Sequence, residues 1–464
     1  MIIPMNLRSV VPSLIGFAAS CSIIVQPVAA EEAVKPNILL IVTDDQGYND
    51  AGFQGSADIE TPNLDRLAEQ GVVFTDAHVS ATVCSPSRAG LMTGRYQQRF
   101  GHEANLPPPN LGMDVEEVTI ADVLGEHGYK TAVFGKWHLG EKERYHPNNR
   151  GFDYFHGFLG GSRSYFPADF PPGHPRAMMK NREHAPLTER YLTDIQGDGV
   201  VRFLEELNED PFFIFLSFLA PHTPMEATEE DLARFEGHPR QILAAMMWAM
   251  DRAVGDVVGK LEEQGKLENT LILFLSDNGG SYFNDSSNEP LKGWKGNKYE
   301  GGHRVPFFVS WTGGINGGRT FDGLASALDI FATSMAAAGV EETPGRPLDG
   351  VNLLPFLTGE KDGEPHQKLF FRKEEGAAMR DGDWKLIRLE DYGYVMYDLG
   401  DDLGETRDLS EENREQFLSM KSDLESWEEG LAEPWWEESR AWQDVTRGIH
   451  KALMNNEEPD RVRP

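Results

Sequence analysis

Oxygen-bearing side chains follow two apolar segments of the chain, residues 37–42 and 271–275, at the point where each segment ends. Both segments predict buried parallel strands, and polar groups that follow neighbouring strands meet at one edge of a sheet. Carboxylate and amide oxygens favour Ca²⁺, ahead of Mg²⁺, over zinc. Three carboxylates packed together would also repel one another without a cation. The predicted metal ligands are Asp44, Asp45, Asp277 and Asn278.

Basic side chains follow two further strand-like segments. Residues 131–134 lead to Lys136 and His138, and residues 212–218 lead to His222. Any one of these groups alone is more often part of a turn or a helix cap, and the Asp-Asn-Gly-Gly run after the last strand would indicate only a tight turn. Four strand-like segments that end in charged groups together predict one site at the carboxyl edge of the sheet.

One cysteine remains in the predicted mature chain. Of the two cysteines, Cys21 lies in the N-terminal apolar segment, so Cys84 stands alone. A lone thiol forms no intramolecular disulfide, so Cys84 is either a buried packing residue or a reactive group.

The N-terminal segment has the layout of a signal peptide. Residues 1–30 contain one charged side chain, Arg8, then an apolar run and Val28-Ala29-Ala30. This predicts cleavage and export to the periplasm or the medium. A buried N-terminal helix and a lipoprotein signal around Cys21 are the alternatives.

The net charge limits the possible partners. A formal charge of −32 opposes binding to nucleic acid and to anionic membranes. The acidic excess points either to a saline habitat or simply to solubility. No segment after the N-terminus is apolar over a length that spans a bilayer.

The spacing of apolar segments predicts the fold class. Up to about residue 361, strand-like and helix-like segments alternate, which is typical of a mostly parallel central sheet sandwiched by helices. After that point, short strands separated by turns predict an antiparallel sheet, followed by an acidic helix from about Glu411. The predicted organisation is a signal peptide over residues 1–30, a domain carrying the site over 31–361 and a smaller C-terminal subdomain over 362–464.

Several element boundaries can be predicted individually. Thr61-Pro62 predicts the start of a helix, with the threonine as its cap, and Gly71 predicts its end. Thr119 predicts the cap of a second helix, residues 240–265 have helical periodicity, and residues 305–311 predict a fifth strand.

The run from Cys84 to Arg95, Cys-Ser-Pro-Ser-Arg-Ala-Gly-Leu-Met-Thr-Gly-Arg, resembles the signature of type I sulfatases. In that family, Cys-x-Pro-x-Arg directs oxidation of the cysteine to formylglycine. Further similar segments lie at 135–140, 220–224, 276–279 and 295–302. The resemblance implies the alkaline-phosphatase-like fold, a Ca²⁺ ion and a partner enzyme that installs formylglycine.

The resemblance also implies roles for individual residues. Cys84, as formylglycine, is the nucleophile and a further metal ligand, and a helix from about Ser87 would aim its amino end at the sulfate. Lys136 and Lys295 shield the charge of the sulfate, and Arg88 anchors the formylglycine. The catalytic residues implied are Cys84, Arg88, Lys136, His138, which assists sulfate release, His222, which protonates the leaving oxygen, and Lys295.

The predicted export, the acidic surface and loops such as 157–175 favour a sulfated carbohydrate as the substrate, such as a marine or algal polysaccharide or its oligosaccharides. Aromatic side chains of the 157–175 loop, Tyr165, Phe166 and Phe170, could stack on sugar rings or simply pack. A phosphodiesterase or phosphonate monoester hydrolase, and a catalytically silent carbohydrate-binding homologue, are the alternatives. Candidate readers of sugar hydroxyls or neighbouring sulfates are His102, Glu103, Arg150, Arg163 and His303.

Overall fold

The computed structural model describes residues 1–2, 35–186, 190–341, 345–374 and 376–459. The predicted signal peptide lies outside the described residues, apart from Met1 and Ile2. From Lys35 onward the described residues pack as one compact unit. Within these ranges, the structure contains no helix whose length and apolarity would allow it to cross a membrane.

The described residues form three sheets. The strands are β1 (Asn37–Thr43), β2 (Val72–Phe74), β3 (Ala77–His78), β4 (Lys130–Lys136), β5 (Tyr154–Phe158), β6 (Met179–Lys180), β7 (Glu183–His184), β8 (Phe212–Ser217), β9 (Thr270–Ser276), β10 (Phe307–Ser310), β11 (Arg319–Phe321), β12 (Ala325–Ser326), β13 (Lys368–Lys373), β14 (Gly376–Asp381), β15 (Trp384–Leu389) and β16 (Gly393–Asp398).

The helices surround these sheets. They are α1 (Pro62–Glu69), α2 (Cys84–Thr93), α3 (Ile120–Glu126), α4 (Leu192–Glu206), α5 (Glu229–Arg234), α6 (Gln241–Glu263), α7 (Glu300–His303), α8 (Asp329–Ala337), α9 (Leu354–Thr358), α10 (Arg414–Glu428) and α11 (Arg440–Met454).

The central sheet has ten strands in the order β11-β2-β10-β9-β1-β8-β4-β5-β6-β7. Strand β1 pairs in parallel with β8 on one side and β9 on the other, and β8 pairs in parallel with β4. Strand β10, the predicted fifth strand, runs antiparallel to β9. The prediction of a mostly parallel sheet flanked by helices is therefore confirmed.

Strand β1 shows why the sheet is buried on both faces. Its apolar residues alternate between two cores: Ile38, Leu40 and Val42 pack into one, and Leu39 and Ile41 into the other. The first core lies under helices such as α2 and α3, and the second under α4 and α6. A continuous apolar strand needs both layers, as the sequence indicates.

Helix α1 begins at Pro62 with Thr61 in the N-cap position, as predicted, but without the expected capping bond. The Thr61 side chain makes no cap bond to α1; it donates to the Asp65 carboxylate instead. Asp251 of α6 makes the capping bonds instead, because its carboxylate accepts the backbone N–H groups of Asn63 and Leu64. At α3, Thr119 forms the predicted cap as part of a capping box.

The antiparallel sheet predicted near the C-terminus is also confirmed. Strands β13 to β16 pair in sequence order, and α10 packs on one face through Phe417, Met420 and Leu424. The other face of this sheet packs against the rest of the described chain, where the ring centroids of Phe371 and His303 lie 3.9 Å apart. The domain boundary at residues 361/362 stays a prediction.

Candidate active site

Four neighbouring strands of the central sheet, β9, β1, β8 and β4, end at the same edge. Their registers keep the ends level, with Thr43 opposite Ser276 and Val42 opposite Ser217. The residues that follow these ends are the ones singled out in the sequence, and they meet as predicted. They are Asp277 and Asn278 after β9, Asp44 and Asp45 after β1, His222 after β8, and Lys136 and His138 at the end of β4.

Each of three buried carboxylates has its own cation. Lys136 Nζ lies 2.5 Å from Asp44 Oδ2. Arg88 Nε lies 2.8 Å from Asp277 Oδ2, and Lys295 Nζ lies 2.6 Å from Asp45 Oδ1. Burial alone would raise the pKa of Asp45, but Lys295 and His222 hold that pKa well below its usual range. Pairing of this kind is what allows so many charges to be buried together.

Cys84 lies among these pairs as the first residue of α2 and is fully buried. Its thiol donates to Asp44 Oδ1 at 3.4 Å. Lys295 Nζ donates to the sulfur at 3.1 Å. Burial, with the nearby carboxylates of Asp277 and Asp44, raises the pKa of the Cys84 thiol. The Cys84 sulfur therefore contacts both a carboxylate and a lysine of the site.

Helix α2 begins at Cys84, three residues before the predicted start, and its first turn is held by side chains. The Ser85 N–H donates to Asn105 Oδ1 at 3.0 Å. The Ser85 hydroxyl donates to the His138 carbonyl at 2.6 Å and lies 2.8 Å from His102 Nε2. One amide of the helix end is thus occupied by Asn105, which no sequence pattern singles out.

The two histidines predicted to act in catalysis differ in their surroundings. His138 has left-handed backbone, with φ 62°, and its Nδ1 has no hydrogen-bond partner among the described residues. Its ring packs against Gly161, where a Cβ would lie 2.5 Å from Nε2. His222 Nδ1 lies 2.5 Å from the Thr223 carbonyl, and its Nε2 lies 3.7 Å from Asp45 Oδ2. Burial lowers the pKa of His222 to about 3.

The oxygen atoms at the carboxyl edge fit a hard divalent cation. The side-chain oxygen of Asn278 is buried without a hydrogen-bond partner among the described residues, while its Nδ2 donates to Asp45 Oδ1. Ligand atoms of Asp44, Asp45, Cys84 and His222 lie within 4.8 Å of one another. The Asn278 oxygen and the carboxylates of Asp44 and Asp45 are donors suited to a hard cation, and the Cys84 sulfur and a His222 ring nitrogen lie in the same cluster.

A pocket of about 290 Å³ opens onto this cluster. Its lining includes Asp45, His222 and Lys295. At this inner end Asp45 is buried and His222 and Lys295 are partly buried, whereas Leu106 and Trp442, also in the lining, are 59% and 36% exposed and mark the mouth. Cys84 does not line the pocket, but Val83, which precedes it, and Lys295, which contacts its sulfur, both do.

Three predicted substrate readers bond to protein groups. Glu103 pairs with Arg372. Arg150 donates to the carbonyls of Met113, Asp114 and Glu117. The ring of His102 packs edge-on against Trp436, with centroids 4.6 Å apart. These contacts fit a role in holding the loops around the site better than direct contact with substrate.

The other predicted readers also lie outside the described pocket lining. His303 is fully buried between His78 and Lys385, each 2.8–2.9 Å from its ring nitrogens. Arg163 is 2% exposed and lies over the rings of Phe158 and Phe170, with one guanidinium nitrogen unpaired among the described residues.

Asn284 is a functional candidate that the sequence did not indicate. Its Nδ2 donates to the carbonyls of Asp45 and Pro221, both at 3.0 Å, and the side chain is fully buried. Asn284 therefore links Asp45, which follows β1, to the segment that carries His222. Neither its spacing nor its neighbours distinguish it from an ordinary loop asparagine.

Comparison with known proteins decides the family. A family model described as Sulfatase matches residues 36–340. The chain is a sulfatase. Human arylsulfatase G is 31% identical over 404 residues, which is 77% of this chain and 75% of that protein. The resemblance of the Cys84–Arg95 run to the sulfatase signature is thereby confirmed, and so is the assignment of the chain as an enzyme.

Solved sulfatase structures superpose on this one over most of its length. Ps i-CgsB, in complex with k-i-k-neocarrahexaose, has a TM-score of 0.82 at 35% identity and covers 91% of this chain and 99% of its own. The PsFucS1 sulfatase from Pseudoalteromonas sp. has a TM-score of 0.75 at 26% identity and covers 85% and 90%. The fold of this sulfatase is therefore alkaline-phosphatase-like.

Proposed function

We propose that this sulfatase releases inorganic sulfate from a sulfated carbohydrate through a formylglycine made from Cys84. The observation that carries the proposal is the position of Cys84, whose sulfur contacts Asp44 and Lys295 at the inner end of the pocket. Carbohydrate as the substrate class is supported by the likeness to Ps i-CgsB, whose structure holds a carrageenan hexasaccharide.

The thiol sulfur of Cys84 stands where the formylglycine oxygens would lie. Formylglycine would supply a hydrated aldehyde with two hydroxyl groups. One hydroxyl would attack the sulfur of the sulfate ester and displace the sugar oxygen. Loss of the proton from the other hydroxyl would then expel inorganic sulfate and restore the aldehyde. A serine in this place would remain as a stable sulfate ester. Conversion requires a maturation enzyme, which we propose as a partner of the unfolded or nascent chain.

The chain's own cations would bind the sulfate. Lys136 pairs with Asp44, which accepts from the Cys84 thiol, and Lys295 pairs with Asp45 and contacts the Cys84 sulfur directly. Arg88, fully buried behind them, donates to Asp277, to the Lys136 carbonyl and to Ser217. The lysines are placed to offset charge on an incoming anion, whereas Arg88 positions the strand ends.

A Ca²⁺ ion would be held by Asp44, Asp45, Asp277 and Asn278, together with the modified residue 84. Such an ion supplies Lewis-acid stabilisation of negative charge at the reacting centre. The unpaired Asn278 oxygen and the close carboxylates support this proposal. Mg²⁺ is the second choice, because it demands a stricter octahedral geometry.

His222 and His138 would move the protons. His222 lines the pocket, and because the Thr223 carbonyl holds its Nδ1–H, it would donate from Nε2 to the departing alkoxide oxygen only as the imidazolium. The negative charge of a bound sulfate ester would therefore have to raise the pKa of His222 from about 3. The contact between His222 Nδ1 and the Thr223 carbonyl would orient the ring for this step. His138 would assist the loss of the second proton as sulfate leaves.

Export completes the proposal. The signal-peptide pattern over residues 1–30 would send the enzyme to the periplasm or the medium, where large polysaccharides are found. The formal charge of −32 is consistent with a saline, marine setting.

Sulfate release tests the proposed function. Purified formylglycine-bearing enzyme is incubated with desalted oligosaccharides of carrageenan, fucoidan and chondroitin sulfate, and free sulfate is measured by ion chromatography. We expect release from at least one panel member and none from matched phosphorylated sugars. Hydrolysis of phosphate or phosphonate esters alone would favour the alternative reaction class.

A further inference from the structure

The pocket changes character from its inner end to its mouth. The inner end consists of Asp45, His222 and Lys295, which belong to the catalytic cluster. The outer wall comes from α11, whose residues Trp442 and Val445 line the same pocket. The C-terminal helix, far from the signature in sequence, thus forms part of the pocket whose inner end includes Lys295, the contact of the Cys84 sulfur.

One face of α11 supplies apolar contacts to this wall. Trp442, Val445 and Ile449 have the i, i+3, i+7 spacing that places side chains on the same side of a helix. Trp294, the neighbour of Lys295 in sequence, also lines the pocket, and its ring lies 5.2 Å from that of Tyr282. The wall combines aromatic and aliphatic surface, to which the C–H face of a sugar ring is complementary.

The outer wall lacks an unpaired cation among the described residues that line it. Lys295 pairs with Asp45 at the inner end. Lys373 is buried and paired with Glu374 at 3.2 Å, with Glu438 at 4.0 Å. A second sulfate or a carboxylate at this position would meet apolar side chains and Glu438 rather than a free positive charge.

We propose that the apolar face of α11 is an outer sugar subsite, in which the ring of Trp442 stacks on an uncharged sugar next to the sulfated one. The inference rests on the proposed function, because the sulfated sugar must occupy the inner end. A volume of about 290 Å³ is near the lower limit of small-molecule sites and suits a short segment of oligosaccharide.

Kinetics of three variants test the subsite on the panel oligosaccharide that wild-type enzyme desulfates fastest. For Trp442→Ala we expect KM to rise about tenfold, with a much smaller change in kcat, because binding surface rather than catalytic machinery is removed. Trp442→Phe keeps an aromatic ring and should recover most of the loss. Trp435→Ala is the matched control, since Trp435 is 43% exposed but does not line the pocket.

A competition experiment tests the preference for an uncharged ring. A chemically desulfated form of the same oligosaccharide should inhibit hydrolysis of para-nitrophenyl sulfate by wild-type enzyme, and about tenfold more weakly in Trp442→Ala. Unchanged KM and unchanged inhibition in Trp442→Ala would overturn the subsite. If wild-type enzyme desulfated none of the oligosaccharides, the proposed function would fail, and the subsite with it.

Discussion

Arg88 Nε lies 2.8 Å from Asp277 Oδ2, and both side chains are fully buried. The same guanidinium donates to the Lys136 carbonyl at 3.2 Å and to Ser217 Oγ at 2.6 Å. A single side chain of α2 therefore joins the ends of β9, β4 and β8. Through these hydrogen bonds, Arg88 fixes the position of α2, and hence of Cys84, relative to the edge of the sheet.

Removing this charge should destabilise the protein strongly. Arg88→Gln leaves the Asp277 carboxylate buried without its cation, which typically costs about 3–5 kcal/mol of unfolding free energy. Urea denaturation measures the change. Arg66→Gln is the control, because its pair with Glu262 is about 40% exposed and should contribute less than about 1 kcal/mol. Equal losses in both variants would contradict the role of Arg88.

Removal of divalent cations should abolish sulfate release. Prolonged chelation followed by desalting is expected to eliminate activity and lower the melting temperature, since Asp44, Asp45 and Asp277 then lose a stabilising ligand. Added Ca²⁺ should restore both, and Mg²⁺ should do so less well. Elemental analysis confirms that the metal has gone. Full activity of metal-free protein would rule out the metal site.

The role of His222 predicts a dependence on the leaving group. His222→Ala should slow desulfation of a sugar sulfate by about 10²–10⁴-fold, because an alkoxide leaves poorly without a proton donor. An aryl sulfate should be affected far less, since a phenolate leaves without help. His184→Ala, at an exposed position on β7, is the control. Equal losses on the two substrates would mean that His222 only binds.

The stability of the fold should depend on pH through His366. Burial alone would lower the pKa of His366, but the Asp329 carboxylate, with Asp349 nearby, raises it. A pKa raised on folding adds stability that is complete below the unfolded value of about 6.5 and is lost as pH rises through the folded value. His366→Gln should therefore destabilise the protein more at about pH 5.5 than at about pH 9. Melting curves at both pH values check this, and an equal effect at both would contradict it.

The sheet and the convergence of its strand ends could be predicted because both follow from local pattern. A continuous apolar run such as residues 37–42 has to be a doubly buried strand, and β1 spans Asn37–Thr43. Parallel neighbours then force Asp44 and Asp277 to the same edge. The candidate site residues at this edge were therefore identifiable by position.

Contacts between distant segments could not be predicted. The Asp251 carboxylate, 188 residues from Asn63, accepts the first backbone N–H groups of α1 in place of the Thr61 side chain. The sequence around Thr61 does not indicate this distant acceptor. Asn105 and Asn284 bond to the site only because loops fold back over it. The contribution of α11 to the pocket likewise depends on how the C-terminal segment packs, which no spacing in Arg440–Met454 reveals.

The identity of residue 84 tests the account most directly. Formylglycine replaces CH₂–SH by CHO, so the peptide spanning Cys84 in active enzyme should be about 18 Da lighter than its unmodified form. It should react with a hydrazide and fail to react with thiol reagents. Cys84→Ser should lose turnover while still binding substrate, because Lys136 and Lys295 remain. A preparation whose Cys84 is entirely thiol by mass, yet hydrolyses sulfate esters at the full rate, would contradict the proposed mechanism.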